Sequence, residues 1–149
     1  MRILLLLCAA AVLLHPAVVR CDRFKSDVRR NLNHVCDLAK RFYKNTHSGH
    51  SCYVLQRIFV EDVSHLTQGR NNCEDKFFCK VQDILANQKY FCSTNETLVR
   101  NLETYNNHRN VNCTETMEGM NTTGDEITVS MLLKHLINCI RLRNFRGTR

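Results

Sequence analysis

The sequence predicts an all-α domain in which four amphipathic helices form an up-up-down-down bundle. Turn residues are scarce: the chain of 149 residues has five glycines and a single proline, Pro16, whereas an all-β sandwich usually needs many of both. Apolar residues recur at helical spacing in four segments. The connections between these segments are long, short and long, and two long connections permit the crossovers of that topology.

The amino terminus is typical of a secretory signal peptide. A basic start precedes the continuous apolar run of residues 3–14, which is too short to span a bilayer. Small residues fit a cut after Cys21, and a cut after Ala17 is the alternative. We therefore assign residues 1–21 to the leader and residues 22–149 to one secreted domain with no membrane insertion. Loss of the two leader arginines lowers the formal net charge from +7 to about +5.

The first predicted helix runs from about Ser26 to Lys44, and Ser26 can cap its start. Its inward face is Val28, Leu32, Val35, Ala39 and Phe42. The long connection that follows contains Tyr53–Val63, which is rich in β-branched and aromatic residues. This composition predicts one short strand within the connection.

The second and third helices are separated by a short connection. The second starts near Asn72, where the side chains of Asn72 and Asp75 can bond free backbone amides. The third begins with a capping box formed by Ser93 and Glu96. The inward faces of the two helices are Phe77, Val81, Ile84 and Leu85, then Leu98, Leu102 and Tyr105.

The second long connection, about residues 110–124, is polar. Within it, Val111–Thr116 is predicted to pair as a strand with the first connection. The fourth helix is predicted to start at a capping box of Thr123 and Glu126 and to end at Arg143. Its apolar residues match the template of an amphipathic helix: Val129, Leu132, Leu133, Leu136, Ile137 and Ile140.

The composition favours a secreted glycoprotein over a nucleic-acid binder or an enzyme. Three sequons, at Asn95, Asn112 and Asn121, predict N-glycosylation. Basic residues are scattered among acidic ones and lack the interleaved aromatics of a nucleic-acid surface. We therefore expect affinity for acidic glycans and none for nucleic acid. A ribonuclease needs two histidines converging on one phosphate, and because nothing in the sequence places them together we expect no enzymatic activity.

Nine cysteines are dispersed along the chain. Neither a Cys-x-x-Cys centre nor a set of closely spaced metal ligands occurs, and His47, His50 and Cys52 lack an obvious fourth ligand. We therefore expect no metal and no cofactor. Dispersed cysteines in an exported chain instead predict disulfides that tie long connections to a helical core.

Two helical segments carry a family resemblance. The stretch Glu126–Leu136 is similar to the last helix of interleukin-13. Phe78-Cys79-Lys80, after the acidic pair Glu74-Asp75, looks like the corresponding segment of interleukin-4. The order of cysteines after the first helix also matches. Most of the chain after the leader thus resembles the interleukin-4 and interleukin-13 family, particularly the interleukin-4/13-type cytokines of fish. The resemblance implies a short-chain four-helix cytokine bundle with a short two-stranded pairing between its crossover loops.

The resemblance also implies two disulfides, Cys52–Cys92 and Cys79–Cys113. A third pair is inferred from the helices, because Cys36 and Cys139 both flank the buried stripes of antiparallel helices. Cys73 is then left to pair with Cys21, if that residue is retained, or to stay free.

The function implied by the resemblance is that of a type 2 immune cytokine. It would bring together two type I cytokine receptor chains and trigger JAK/STAT signalling. The chains would be an interleukin-4 receptor alpha-like chain and an interleukin-13 receptor alpha-1-like or common gamma-like chain, bound by a monomer.

The first receptor chain would meet outward faces of the first and third helices, and the second chain would meet the fourth helix and part of the first. The outward faces of the first and third helices are Arg30, Asn33, Asp37, Arg41, Arg100, Glu103 and Asn107. Asn33 stands nearest to the position where the family's first helix carries an acidic anchor.

A second stripe of the fourth helix is predicted to point away from the core: Met131, His135, Asn138 and Leu142. Such a group indicates a contact surface, and with Lys134 it completes the predicted receptor-binding residues. The alternative is that a crossover loop covers the stripe. A different function class also stays open, a cationic membrane-active or antimicrobial helical protein, which the basic amphipathic fourth helix permits.

Overall fold

A computed structural model describes residues 26–44, 58–69, 72–88 and 93–146 of the chain. The helices are α1 (26–44), α2 (Asp75–Asn87), α3 (Ser93–His108), α4 (Cys113–Met117) and α5 (Val129–Arg146), and the strands are β1 (Phe59–Glu61) and β2 (Glu126–Thr128). A 3₁₀ turn, Ser64–Thr67, follows β1. The prediction of a mostly helical protein with one small sheet is confirmed for these residues.

The apolar stripes predicted for the four long helices form the buried core. Val28 is half-buried against that core, and the other predicted inward residues are buried. Three aromatic rings lie together: the Phe78 ring centroid is 5.4 Å from that of Phe77 and 5.0 Å from that of Tyr105. Burying a large apolar side chain contributes roughly 2 kcal/mol, so this shared core is the main attachment between α1, α2, α3 and α5.

The start of α2 differs from the prediction. The helix begins at Asp75, and its N-cap residue makes no side-chain capping bond. The side chains expected to cap it bind arginines distant in sequence. Arg146 donates to Asn72, and both Arg109 and Arg143 donate to Asp75. Two guanidinium partners satisfy the Asp75 carboxylate more strongly than one backbone amide would.

The strands join the first long connection to the second. β1 and β2 pair antiparallel with Val60 opposite Ile127, and both of these side chains are buried. A backbone bond of 3.1 Å from Val129 N to Ile58 O continues the pairing into the start of α5. The strand predicted within Tyr53–Val63 is therefore confirmed at residues 59–61.

The partner strand predicted at Val111–Thr116 is wrong. Most of this segment belongs to the short helix α4, whose start is capped by the Asn112 side chain accepting a bond from Glu115 N at 3.4 Å. The strand that pairs with β1 is Glu126–Thr128. It lies there because Ile127 is buried while its two neighbours remain at or near the surface.

The predicted capping box of Thr123 and Glu126 is also wrong. Glu126 lies in β2, and α5 begins at Val129. Thr128 Oγ1 accepts the bond from Met131 N at 3.3 Å. Thr128 is the last residue of the strand, so its side chain caps the helix that follows directly.

Two disulfides lie within the described residues. Cys79 of α2 is bonded to Cys113 of α4, with Cα atoms 5.2 Å apart, as the resemblance implies. Cys73 is bonded to Cys139 of α5, with Cα atoms 5.0 Å apart. The predicted Cys36–Cys139 pair is therefore wrong, and Cys36 is a buried free thiol.

The turn before α2 explains the different pairing. Cys73 has a left-handed backbone, with φ of 56°, and its amide donates to Leu66 O at 2.9 Å. This bond holds Cys73 against the 3₁₀ turn and beside α5, so that Cys139 is already bonded and unavailable to Cys36. The implied Cys52–Cys92 bridge and Cys21 lie outside the described residues.

Candidate functional site

The α1 residues predicted to bind a partner are all exposed: Arg30, Asn33, Asp37 and Arg41. Asp37 Oδ1 accepts a bond of 3.2 Å from Lys40 Nζ, which is the main reason that the pKa of Lys40 lies above its ordinary value. Asn33 Oδ1 accepts a bond of 2.7 Å from Asn144 Nδ2 of α5. Asn33 thus makes a neutral contact between two helices, and the charges of this face come from its neighbours.

The α3 residues Arg100, Glu103 and Asn107 are exposed as well. Within the described part of the chain, none of their side chains makes an ion pair or hydrogen bond with another residue. They alternate with buried Leu98 and Leu102, which pack in the core. We call the seven exposed residues of α1 and α3 the polar face.

The predicted stripe of α5 is divided by the structure. Met131 is 49% exposed, and Lys134 and Asn138 are exposed too. Leu142 is half-buried and packs against the core, so its assignment to an outward stripe is wrong. His135 is half-buried, with Nε2 3.5 Å from Ser64 Oγ. The first long connection therefore covers this histidine, as the alternative interpretation expects.

An exposed aromatic residue that the sequence did not reveal lies in β1, which pairs with the strand that leads directly into α5. Phe59 of β1 is 56% exposed and stands opposite Thr128 in the sheet, where facing side chains are about 5 Å apart. Because Thr128 Oγ1 bonds Met131 N, Phe59 and Met131 both flank Thr128. We call these two side chains the apolar patch. The available signal was the alternation within β1, which buries Val60 and turns Phe59 outward.

A turn stabilised by an aspartate follows β1 directly in the first long connection. Asp62 Oδ1 accepts bonds from the backbone amide of Ser64 (2.7 Å) and from its hydroxyl. The hydroxyl bond is the main reason that the pKa of Asp62 is lowered, and the nearby charges of His135 and His65 act in the same direction. These bonds stabilise the turn itself, and its contact with α5 is the one between Ser64 Oγ and His135 Nε2.

A largely buried ion pair attaches β1 to α2. Lys80 Nζ lies 2.7 Å from Glu61 Oε2, with the side chains 12% and 21% exposed. Water screens such a pair poorly, so removing one partner costs far more than it does at an exposed site. The strand that carries Phe59 is thus held by charge as well as by backbone bonds.

At the far end of α5, one carboxylate receives two guanidinium groups. Asp75 accepts bonds from Arg143 and from Arg109, the latter at 3.3 Å. Arg143 also lies over the Phe78 ring, 5.6 Å from its centroid, and donates from Nε to the Tyr105 hydroxyl at 3.4 Å. This cluster joins the ends of α3 and α5 to the start of α2.

The sequons differ in their surroundings. Asn121 lies exposed in the connection before β2. Asn112 is exposed but its Oδ1 caps α4, and the next residue, Cys113, is in a disulfide. Asn95 lies in α3.

Across the described ranges, no three His, Cys, Asp or Glu side chains lie close enough together to hold a metal ion; His47, His50 and Cys52 are outside those ranges. None of the helices described combines the length and the apolar character that crossing a membrane requires. No protein-family model, no curated protein and no solved structure matches this chain.

Proposed function

We propose that this chain is a secreted type 2 immune cytokine that brings together two type I cytokine receptor chains and triggers JAK/STAT signalling. The observation that carries the proposal is the apolar patch. Two large apolar side chains, 56% and 49% exposed, lie on a platform held by strand pairing, an ion pair and a disulfide. Rigid, exposed apolar anchors of this kind dominate the energetics of protein interfaces.

The polar face and the apolar patch each bind one of the two proposed receptor chains. The polar face on α1 and α3 binds the interleukin-4 receptor alpha-like chain through charged and amide side chains, which set association rate and specificity more than affinity. The apolar patch, with Lys134 and Asn138, binds the interleukin-13 receptor alpha-1-like or common gamma-like chain. A monomer with two separate faces suffices to bring two membrane receptors together.

The proposal includes the up-up-down-down order of a short-chain cytokine bundle, and contacts at one end of the molecule support it. Asn33, in the first half of α1, bonds Asn144 near the end of α5. Asp75, at the start of α2, pairs with Arg109 beyond the end of α3 and with Arg143 near the end of α5. The amino-terminal halves of two helices thus meet the ends of two others, as this topology requires. In this order α4 is an extra turn within the second crossover.

The test is Met131→Asp, which places a charge in the apolar patch. Loss of an interface anchor costs about 2 kcal/mol, or roughly 30-fold in affinity. We expect the concentration for half-maximal STAT phosphorylation in receptor-bearing leukocytes to rise by about that factor. Saturable cell binding should be retained, because the first receptor chain meets the polar face. Arg41→Glu should instead weaken the saturable binding itself.

Ala86→Asp is the matched control, because Ala86 is exposed on α2, outside both faces, and should leave binding and signalling intact. Normal signalling by Met131→Asp, or loss of helicity together with activity, would contradict the proposal. Dye release from anionic vesicles at nanomolar protein, without saturable cell binding, would favour the membrane-active alternative. That alternative also requires α5 to expose the apolar residues that are buried in the core.

A further inference from the structure

A groove at the end of the bundle gathers arginines from three separate helical regions. It has a volume of about 860 Å³ and lies between the start of α1, the end of α3 and the end of α5. Its arginines are Arg29, Arg30, Arg109, Arg143 and Arg146. Arg143 and Arg146 lie near the carboxyl terminus of the chain, whereas the other three come from α1 and from just beyond α3, so the groove is a product of the fold.

The positive charge of this groove is only partly balanced. None of the described residues that line it is acidic. Asp75 serves both Arg109 and Arg143, and a second carboxylate, from Asp27, lies 4.0 Å from Arg30 Nη1. Five guanidinium groups therefore face two carboxylates, which leaves about three positive charges in excess.

Two arginines of the groove, Arg29 and Arg146, have no carboxylate partner among the described residues. Arg29 is exposed and has no acidic partner in the described ranges. Arg146 is exposed, and its bonds to the described residues go to neutral groups of Asn72, the carbonyl oxygen and Oδ1. Guanidinium groups bind oxyanions through two parallel hydrogen bonds and are weakly hydrated.

We propose that this groove binds a sulfated glycosaminoglycan. A single-stranded nucleic acid offers the same charge, but its affinity depends on aromatic side chains on which bases can stack. The one aromatic residue among the described lining residues is Tyr105, which is 1% exposed. The choice of an extracellular polyanion also rests on the secretion contained in the proposed function.

The experiment measures binding of a heparin octasaccharide by titration calorimetry as salt concentration is varied. Arg29→Ala/Arg146→Ala removes two groove charges, and Lys44→Ala/Arg141→Ala removes two exposed charges elsewhere on α1 and α5. We expect the groove pair to weaken binding about tenfold and to lower the salt dependence, because fewer counterions are released. The control pair should change binding less than about twofold.

Equal loss from both pairs of substitutions would overturn the groove assignment, because it would indicate diffuse charge attraction. Undiminished binding of fully desulfated heparin would overturn the proposal that the groove recognises sulfate groups. Equally tight, equally groove-dependent binding of a DNA oligonucleotide of matched charge would overturn the preference for a glycan. Neither Arg29 nor Arg146 belongs to the polar face or the apolar patch. STAT phosphorylation by the groove variant on heparinase-treated cells therefore tests the cytokine proposal separately.

Discussion

Removal of the Cys73–Cys139 disulfide, whose two cysteines are buried in the core, should strongly destabilise this protein. The bridge closes a loop of 66 residues, and inside it the Cys79–Cys113 bridge closes 34 of those residues. With the inner bridge intact, the outer one restrains a path of about 32 residues in the unfolded chain. A loop of that length corresponds to about 3.7 kcal/mol of chain entropy.

The variant Cys73→Ala/Cys139→Ala should therefore melt far below the native protein. For the 26–146 span, the entropy of unfolding at the midpoint is roughly 0.25 kcal/mol/K, so a loss of about 3.7 kcal/mol lowers Tm by about 15 °C. The assay is thermal unfolding under non-reducing conditions, followed by circular dichroism. Cys36→Ala is the control, since it removes one buried thiol and leaves both bridges; we expect about 1 kcal/mol from the small cavity.

Two results would refute this reasoning. The first is a Tm for the double variant within a few degrees of the native value. The second is a non-reducing peptide map of the native protein that joins Cys139 to Cys36, because the entropy calculation would then describe the wrong loop.

Three further predictions concern charge. In a double-mutant cycle, Glu61→Gln and Lys80→Met should each lower the unfolding free energy in urea by about 2 to 3 kcal/mol, and the double variant should lose less than their sum; additive losses would contradict a coupled pair. The bonds from Ser64 lower the pKa of Asp62 in the folded state. These bonds therefore stabilise the folded protein at pH values above about 3.9, the ordinary pKa of an aspartate. This stabilisation is lost as the pH falls through the lower pKa that Asp62 has in the folded state. In the Asp62→Asn variant, Tm should fall less steeply than in the native protein as the pH is lowered. An unchanged dependence of Tm on pH would refute this stabilising role of Asp62. Asp75→Asn should cost about 1 to 2 kcal/mol of thermal stability, less at high salt, because two guanidinium groups lose their charged acceptor; a salt-independent loss would point to packing instead.

The helical core was predictable because the period of apolar residues determines which side of a helix is buried. The stripe from Leu32 to Phe42 and the stripe from Val129 to Ile140 are found as predicted. The start of α5 was not predictable in the same way. Thr123 and Thr128 are both possible caps for this helix, and the local sequence pattern does not distinguish them. Pairing of Glu126–Thr128 with β1 removes the first capping site and leaves Thr128 as the cap.

The surfaces were less predictable than the core. Exposure of Met131 follows from its position on the helix, whereas burial of His135 depends on a turn that lies 71 residues earlier in the chain. The apolar patch needs the register that sets Phe59 opposite Thr128. The arginine groove needs the meeting of three helix ends. Such features depend on tertiary placement, which residue spacing alone does not contain.

The outer disulfide also determines what a protease could release from this protein. The exposed residues 121–126 form an accessible stretch of backbone before α5. A cut there leaves Cys139 on the carboxyl-terminal fragment and Cys73 on the other, still joined by their bond. The last helix, with Met131 and two of the groove arginines, Arg143 and Arg146, would stay covalently attached until the bridge was reduced. A single cleavage in this connection therefore nicks the molecule without separating its two proposed binding faces.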